Sequence, residues 1–365
     1  MLSSNSNNKI KALVVDDSAF MRKSISIMLE SDTEIQVIGT ARDGEEGFNL
    51  AKSLKPDIIT LDIEMPKMDG LTALKKIMKE CPTSVIMLSS LTTEGADETI
   101  KALEYGAVDF IPKELSFVNV NIIKIKEDLI SKIKEIVKQR ALRERLRRVQ
   151  KLNERYSTAS IKPKLSGELP SIGYRAIGIG ISTGGPFSLQ KVVPMLSKKI
   201  NCPVFIVQHM PPKFTKSLAE RLNGLSQLEV KEAENDEPVR NGVVYIAQGG
   251  LHMTLVKNSS GTVNIKISEN PSDTLHRPSV DVMLDSVVEV YGKYTLGVIM
   301  TGMGRDGLEG IRKLKALGGY SLVQDESTCV VYGMPKAVAD AGLADVIAPV
   351  EKIPELINKA AAYEK

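Results

Sequence analysis

A serine lies in a glycine-rich turn near the middle of the chain. Ser182 stands between Gly180 and Gly184, an apolar run at 174–181 precedes it, and Pro186 suits the first turn of a helix. The glycines remove Cβ atoms that would crowd the serine, so that the backbone can bend sharply and a carbonyl group can approach the hydroxyl. This G-x-S-x-G pattern predicts a nucleophile, although such a turn is also typical of a phosphate cradle or a plain tight turn.

A histidine and an aspartate follow two other apolar runs. His209 ends the run at 203–209, and Asp306 lies in a glycine-rich turn after the run at 294–300. If these strands are parallel neighbours of the strand before Ser182, the three side chains meet at one edge of the sheet. His209 then accepts the serine proton, and Asp306 holds its tautomer and stabilises the imidazolium. The chain order Ser, His, Asp differs from that of the α/β-hydrolases and excludes that superfamily.

Acyl chemistry also needs donors for the oxyanion that forms when a nucleophile attacks a carbonyl. The sequence offers the backbone amide of Met303 and the hydroxyl or amide of Thr183. In characterised enzymes one such donor contributes about 3 to 4 kcal/mol.

The chain has only three histidines, so the identity of the base can be weighed residue by residue. His252 lies in the region 243–267, whose pattern predicts hairpins, and a structural role is favoured. His276 is the stronger rival of His209. It precedes Ser279 and Asp281, either of which can cap the helix that follows, and a buried polar role is favoured over catalysis.

The first half alternates short apolar runs with amphipathic segments, a pattern that predicts a doubly wound parallel sheet. The predicted strands lie at 12–15, 36–39, 57–61, 85–88 and 108–111. Polar residues follow where they end: Asp16, Asp17, Asp62, Ser89 and Lys113. Three carboxylates in one pocket repel each other unless a cation joins them, which predicts Mg²⁺ with oxygen ligands. Together with Lys113, the ion can neutralise a phosphoryl group on a carboxylate.

The composition predicts a soluble, cytoplasmic protein of two domains. The 365 residues are 42% hydrophobic, and 48 basic against 45 acidic residues give a net charge of +3, too small to indicate nucleic acid or a membrane surface. Three scattered cysteines argue for a reducing compartment and against a disulfide framework. The sequence shows neither a signal core nor a run of about 18 apolar residues, so we expect neither secretion nor membrane insertion.

The two halves are joined by a predicted long helix at 121–155. Its far end, 139–151, is rich in arginine and can dock on nucleic acid or an acidic partner. A solvated face on an interdomain helix is the favoured interpretation. The Ser, Pro, Lys and Gly content of 156–170 predicts a flexible remainder of the linker.

Residues 10–120 resemble a two-component receiver domain. The resemblance implies that Asp16 and Asp17 are the acidic pair and that Asp62 is the phospho-acceptor. It also implies that Ser89 and Phe110 are the switch residues and that Lys113 is the lysine typical of this family. It further implies that Asp17, Asp62 and the backbone carbonyl of Glu64 contact the Mg²⁺ beside Asp16, and that a histidine kinase is the phosphodonor. In this family a proline commonly follows the lysine. Glu114 stands there instead, which removes the usual Lys-Pro cis bond.

The second half closely resembles the chemotaxis response regulator protein-glutamate methylesterase family. The resemblance rests on GISTGG at 180–185, QHMPP at 208–212, HRPSVD at 276–281 and TGMGRDG at 301–307. It implies a triad of Ser182, His209 and Asp306 and an oxyanion amide at Met303. The implied activity is the hydrolysis of γ-glutamyl methyl esters on the cytoplasmic helices of chemoreceptors, with deamidation of some glutamines, and phosphorylation of Asp62 activates it.

We therefore predict an α/β protein with two doubly wound parallel-sheet domains. A flavodoxin-like receiver spans 8–125, a helical linker 126–170, and a Rossmann-like esterase domain with a β-hairpin insertion 171–362. Two other classes of function stay open: a receiver-controlled DNA-binding regulator, and a non-catalytic scaffold that binds receptors. Because the second half shows no compact helix-turn-helix pattern, we expect no nucleic-acid partner. We expect no metal in the esterase site.

Overall fold

A computed structural model describes residues 9–113, 121–156 and 168–361. The chain divides into two compact units between Ala141 and Leu142. Among the described residues, no helix is both long enough and apolar enough to cross a membrane.

The first unit alternates strands and helices, as its sequence pattern predicts. The strands are β1 (Ile10–Val15), β2 (Ile35–Ala41), β3 (Ile58–Asp62), β4 (Ser84–Ser89) and β5 (Asp109–Pro112), and the helices are α1 (Ala19–Glu30), α2 (Gly44–Leu54), α3 (Gly70–Glu80), α4 (Thr93–Glu104) and the first part of α5 (Asn121–Tyr156). Four helices begin with a side-chain cap, from Ser18, Asp43, Asp69 and Thr92. These caps satisfy amides of the first turns and fix where each helix starts.

The five strands form one parallel sheet in the order β2-β1-β3-β4-β5. This arrangement confirms the predicted doubly wound fold of the first half. Strands β3 and β4 are buried along their whole length, because helices cover both faces of the sheet. The carboxyl ends of β1, β3 and β5 therefore meet at the same edge, where the predicted acidic residues lie.

Helix α5 packs its first half on the first unit. Leu129, Ile133 and Ile136 are buried at the three- and four-residue spacing of one helix face, and Nζ of Lys132 lies 3.1 Å from Oδ2 of Asp109. The predicted long helix is confirmed. The predicted domain boundaries stay predictions. Glu114 and residues 157–167 lie outside the described residues.

The second unit has more elements around a larger sheet. Its strands are β6 (Ala176–Ile181), β7 (Val204–Gln208), β8 (Glu229–Glu232), β9 (Val243–Ile246), β10 (His252–Lys257), β11 (Val263–Ser268), β12 (Thr295–Ile299), β13 (Tyr320–Gln324) and β14 (Val346–Ala348). Its helices are α6 (Gly185–Val192), α7 (Phe214–Leu225), α8 (Val280–Tyr291), α9 (Leu308–Ala316), α10 (Met334–Asp340) and α11 (Ile353–Ala361), with short 3₁₀ turns at Val193–Met195 and Gly292–Tyr294.

Seven of these strands form a parallel sheet in the order β14-β13-β12-β6-β7-β9-β8. The predicted neighbours β12, β6 and β7 lie side by side, which confirms the predicted parallel α/β sheet. The antiparallel pair β10 and β11 is the predicted hairpin insertion. The hairpin region predicted at 243–267 begins too early, because the buried run Val243–Ile246 pairs in parallel with β7 and β8.

A glycine on β6 lets helix α8 lie close to the sheet. A Cβ atom on Gly180 would lie 2.3 Å from Cγ1 of Val280, the first residue of α8. The same valine contacts Gly307, where a Cβ would lie 2.8 Å away. The amino-terminal end of α8 is thus inserted between the ends of β6 and the loop after β12.

Candidate active site and phosphorylation pocket

The predicted nucleophile lies on a tight turn between β6 and α6. The backbone N–H of Ser182 donates to the carbonyl of Thr301 at 3.0 Å, and the N–H of Gly185 donates to the carbonyl of Ser182 at 2.7 Å. The positive φ of this turn, 76°, falls on Gly184 and not on the serine. The turn is therefore unlike the nucleophile elbow of the α/β-hydrolases, where the nucleophile itself is strained.

The register of the sheet brings the predicted base next to the predicted nucleophile. Ile181 pairs with Gln208 at the end of β6 and β7, so Ser182 and His209 are the next residues on adjacent parallel strands. The N–H of His209 donates to the carbonyl of Ile181 at 3.2 Å. Because adjacent strands lie about 4.8 Å apart, the two backbones leave the sheet side by side.

The buried side chain of Gln208 links the two turns, a contact that the sequence did not indicate. Its Nε2 donates to the carbonyl of Ser182 at 3.0 Å and to the carbonyl of His209 at 3.1 Å. A Cβ on Gly185 would lie 1.8 Å from Oε1 of this glutamine. A glycine at the start of α6 is therefore what leaves room for the link.

The structure brings the predicted acid to the predicted base. Nε2 of His209 lies 2.8 Å from Oδ2 of Asp306, and both side chains are about 10% exposed. The carboxylate accepts a hydrogen bond, so Nε2 carries the proton. Nδ1 of His209 is buried and has no hydrogen-bond partner within the described residues. The nitrogen that keeps an unprotonated lone pair is therefore Nδ1.

Asp306 lies at the amino-terminal end of α8. Its carboxylate accepts hydrogen bonds from the hydroxyl of Ser279 at 2.9 Å, from the N–H of Val280 at 2.7 Å and from the N–H of Asp281 at 2.9 Å. Burial alone would raise the pKa of Asp306. The hydrogen bond and charge of His209 and the two amides outweigh burial and hold the pKa well below its ordinary value. Asp306 is thus kept as an anion.

The pKa of the neighbouring carboxyl, that of Asp281, changes in the opposite direction. Burial raises it to about 6, and the charge of Asp306 adds to the increase, although the N–H of Gly310 donates to Asp281 at 2.8 Å. Through that hydrogen bond Asp281 joins the first turn of α8 to the first turn of α9.

The structure gives His252 a supporting contact. This fully buried ring accepts from the N–H of Ser279 through Nδ1 at 3.2 Å, and its Nε2 lies 3.1 Å from the carbonyl of Pro271. Of the two capping residues that the sequence offers, Ser279 caps α8, since its hydroxyl accepts from the N–H of Val282. His252 thus holds the capping residue that in turn holds Asp306, in agreement with the structural role that the sequence favours.

His276 lies at the site, on the base itself. Its ring stacks on the ring of His209 with a centroid distance of 4.2 Å and an interplanar angle of 21°. The sequence favoured a buried polar role away from catalysis, because HRPSVD reads as a helix start. In the structure this segment does lead into helix α8, and His276 also contacts the ring of His209.

The predicted oxyanion groups lie on the two turns that contact each other. A Cβ on Gly302 would lie 2.8 Å from Cβ of Ser182, so the chain just before Met303 packs against the serine. Thr183 is buried, and its carbonyl accepts from the hydroxyl of Thr301 at 3.0 Å. The roles of Met303 and Thr183 in binding an oxyanion stay predictions.

The predicted phosphorylation pocket lies at the carboxyl edge of the first sheet. Nζ of Lys113 lies 2.6 Å from Asp62 and 3.0 Å from Asp16, and both carboxylates are buried. Burial raises the pKa of Asp62 to about 6. Lys113 opposes this effect and the charge of Asp16 adds to it. One lysine therefore does not neutralise the acidic pocket completely.

The acidic set fits a hard cation. Carboxylate oxygens of Asp16, Asp17 and Asp62 all lie within 4.8 Å of one another. Oxygen ligands of this kind suit Mg²⁺. Glu64 lines the same pocket with Asp17, Asp62 and Lys113. The assignment of its carbonyl as a ligand stays a prediction.

The two predicted switch residues are buried in the first unit. The hydroxyl of Ser89 accepts from the hydroxyl of Thr99 at 2.6 Å and donates to the carbonyl of Gly95 at 3.1 Å, so it is bound to the start of α4. Phe110 is 4% exposed and lies on β5. Their part in switching stays a prediction.

These two regions define a class of protein. It is an α/β protein in which an acidic pocket of the receiver type, whose carboxylates fit a cation, is joined to a domain with a serine, a histidine and an aspartate at one sheet edge. Comparison with known proteins agrees. A response regulator receiver domain model matches residues 12–122, and a CheB methylesterase model matches residues 177–357.

Relatives from several organisms match nearly the whole chain. Each is named protein-glutamate methylesterase/protein-glutamine glutaminase. One from Pyrococcus horikoshii is 46% identical over 357 residues, covering 96% of this chain and 94% of its own. One from Oleidesulfovibrio alaskensis is 47% identical (96% and 99% covered), and one from Thermotoga maritima is 45% identical (95% and 97% covered). The chain belongs to the CheB methylesterase family with an amino-terminal receiver domain. A receiver domain implies phosphorylation that depends on Mg²⁺.

Proposed function

We propose that the chain is a phosphorylation-activated serine esterase that hydrolyses γ-glutamyl methyl esters on the cytoplasmic helices of chemoreceptors. The observation that carries the proposal is the pairing of Asp306 with Nε2 of His209, which leaves Nδ1 buried beside the Ser182 turn, with no hydrogen-bond partner among the residues that the structure describes. A lone pair in that position is what a neighbouring hydroxyl needs to become a nucleophile. The family membership supports the same activity.

In the proposed reaction, Ser182 Oγ attacks the ester carbonyl while Nδ1 of His209 takes its proton. Asp306 stabilises the imidazolium, and the amide of Met303 together with the hydroxyl or amide of Thr183 donates to the oxyanion. The tetrahedral intermediate expels the methoxy group, which leaves as methanol with the proton from His209. Water then attacks the acyl-enzyme, gives one proton to His209, and releases the glutamate as Ser182 recovers its hydrogen. A glutamine side chain would react in the same way, with ammonia leaving.

We further propose that the protein is cytoplasmic and that its receiver domain controls the esterase activity through phosphorylation of Asp62. Asp62 accepts a phosphoryl group from a histidine kinase, and Lys113 contacts the modified carboxylate. When bound, Mg²⁺ supplies positive charge that offsets the incoming phosphoryl oxygens. Asp17, Asp62 and the Glu64 carbonyl would hold it, with Asp16 close by. The esterase site needs no metal in this scheme.

The decisive experiment compares the wild-type chain with Ser182→Ala and Asp62→Asn. Each is treated with a small-molecule phosphodonor and given methylated receptor as substrate, and methanol release is measured. Ser182→Ala should release no methanol and take no serine-directed fluorophosphonate label, yet still be phosphorylated. Asp62→Asn should keep the label and lose the rate increase caused by the phosphodonor. Full activity of Ser182→Ala would remove the nucleophile, and an unlabelled, inactive wild type would favour a scaffold.

A further inference from the structure

The proposed reaction uses His209 as the base but does not use the ring of His276 that stacks on it. The ring of His276 covers a face of His209 at 4.2 Å, nearly parallel to it. His276 is itself half-buried, and it lies three residues before the cap of α8. The contact therefore joins the predicted base to the segment that holds the predicted acid.

A base needs its ring plane fixed as well as its position. Asp306 holds His209 at one atom, Nε2, while Nδ1 has no hydrogen-bond partner within the described residues. A single hydrogen bond leaves the ring free to tilt about that contact, and a tilt moves Nδ1 away from the serine oxygen. A flat ring stacked on one face opposes the tilt and also excludes water from that face.

The segment 276–281 contacts both the predicted base, His209, and the predicted acid, Asp306. His276 stacks on His209, and Ser279, Val280 and Asp281 donate hydrogen bonds to Asp306. Ser279, Val280 and Asp281 lie at the start of α8, and the N–H of Ser279 also donates to the buried ring of His252. We propose that His276 is a positioning residue that sets the plane of the His209 ring through stacking, so that one segment aligns base and acid together.

The inference deepens the proposed esterase function and rests on it. His276 takes part in no proton transfer in this scheme, because its contribution comes from the face of the ring. Its loss should therefore lower kcat and leave KM nearly unchanged, since an ester can bind beside a tilted base but reacts more slowly. The nitrogens of His276 should be dispensable if an aromatic ring of similar shape takes their place.

The test uses the full chain with Mg²⁺ and a small-molecule phosphodonor, and a synthetic peptide that carries one glutamate γ-methyl ester. Methanol release gives kcat and KM, and the rate of fluorophosphonate labelling reports the reactivity of Ser182 without peptide binding. The variants are His276→Ala and His276→Phe. Leu275→Ala is the matched control, because this neighbouring side chain is 84% exposed.

We expect His276→Ala to lower kcat and the labelling rate about 10-fold, and His276→Phe to stay within about threefold of the wild type, from the usual strength of an aromatic pair. Leu275→Ala should match the wild type. Wild-type rates in His276→Ala, a purely KM effect, or His276→Phe as slow as His276→Ala would overturn the inference. If His276→Ala unfolds, the comparison of His276→Phe with the wild type decides. Absence of label and methanol in the wild type would instead sink the esterase function.

Discussion

Two buried aspartates lie at the carboxyl edges of the two parallel sheets, and their pKa values change in opposite directions. In the first unit, burial and the charge of Asp16 raise the pKa of Asp62 to about 6 despite Lys113. In the second unit, the pKa of Asp306 is held well below its ordinary value, although burial again acts to raise it. The same kind of position in the same kind of sheet thus produces two different acids.

The difference lies in the donors that surround each carboxylate. Asp306 accepts from His209, from one hydroxyl and from two backbone amides at the start of α8, where the helix dipole is positive. Asp62 has one lysine and shares it with Asp16, while Asp17 lies within 4.8 Å. Hydrogen-bond donors of the second unit thus stabilise its buried carboxylate. The first unit leaves negative charge that a bound cation would balance.

Removing the charge of Asp306 should have the largest effect on the esterase site. In Asp306→Asn we expect kcat for methanol release to fall about 10⁴-fold, because a neutral amide neither fixes the tautomer of His209 nor stabilises its imidazolium. Phosphorylation of Asp62 should be unchanged. Asp285→Asn, at a side chain that is 57% exposed and paired with Lys313, serves as control. A loss of less than about 10-fold would contradict the assigned role.

A chelator should affect the phosphorylation pocket and leave the esterase site unchanged. With EDTA, phosphorylation of Asp62 by a small-molecule phosphodonor should slow by at least about 100-fold, because metal charge contributes several kcal/mol to such a step. Fluorophosphonate labelling of Ser182, measured on unphosphorylated protein, should not change. Excess Mg²⁺ should restore phosphorylation. Phosphorylation that proceeds equally well in EDTA would mean that Lys113 alone compensates the pocket, and slower labelling would place a metal in the esterase site.

A smaller effect is expected from Gln208→Met, which keeps the size of the side chain and removes two hydrogen bonds. Loss of the links to the carbonyls of Ser182 and His209 should lower kcat about 10-fold and cost about 2 kcal/mol in the free energy of unfolding. Urea unfolding measures the second quantity. Gln227→Met, at an exposed position, is the control. If kcat stays at the wild-type value while stability falls, the link is structural only.

The sequence was sufficient to predict which residues reach the edge of each sheet. Apolar runs bounded by polar residues marked the strands, and parallel order then put Asp16, Asp62 and Lys113 on one edge and Ser182 and His209 on another. It did not indicate how those side chains are held. The amide of Gln208 binds a carbonyl 26 residues away, and that distance in the chain leaves no local pattern.

The early start of the predicted hairpin region has the same origin. The run Val243–Ile246 was too short for its sequence alone to distinguish a hairpin strand from a parallel one, and only the neighbours β7 and β8 decide it. The stacking of His276 on His209 likewise leaves no local signal in the sequence, because the two rings are 67 positions apart in the chain. A histidine in a capping segment has many structural uses, so its type and spacing carry little information about a partner.

The close approach of Val280 to β6 gives the first glycine of the G-x-S-x-G segment a different purpose from the one that its motif suggests. The absence of a Cβ atom at Gly180 makes room for Val280, and the amide of Val280 donates a hydrogen bond to Asp306. Alanine at position 180 would push the amino terminus of α8 outward and loosen the acid while the serine turn stayed intact. A residue two places before the nucleophile thus affects the position of the carboxylate that orients the base.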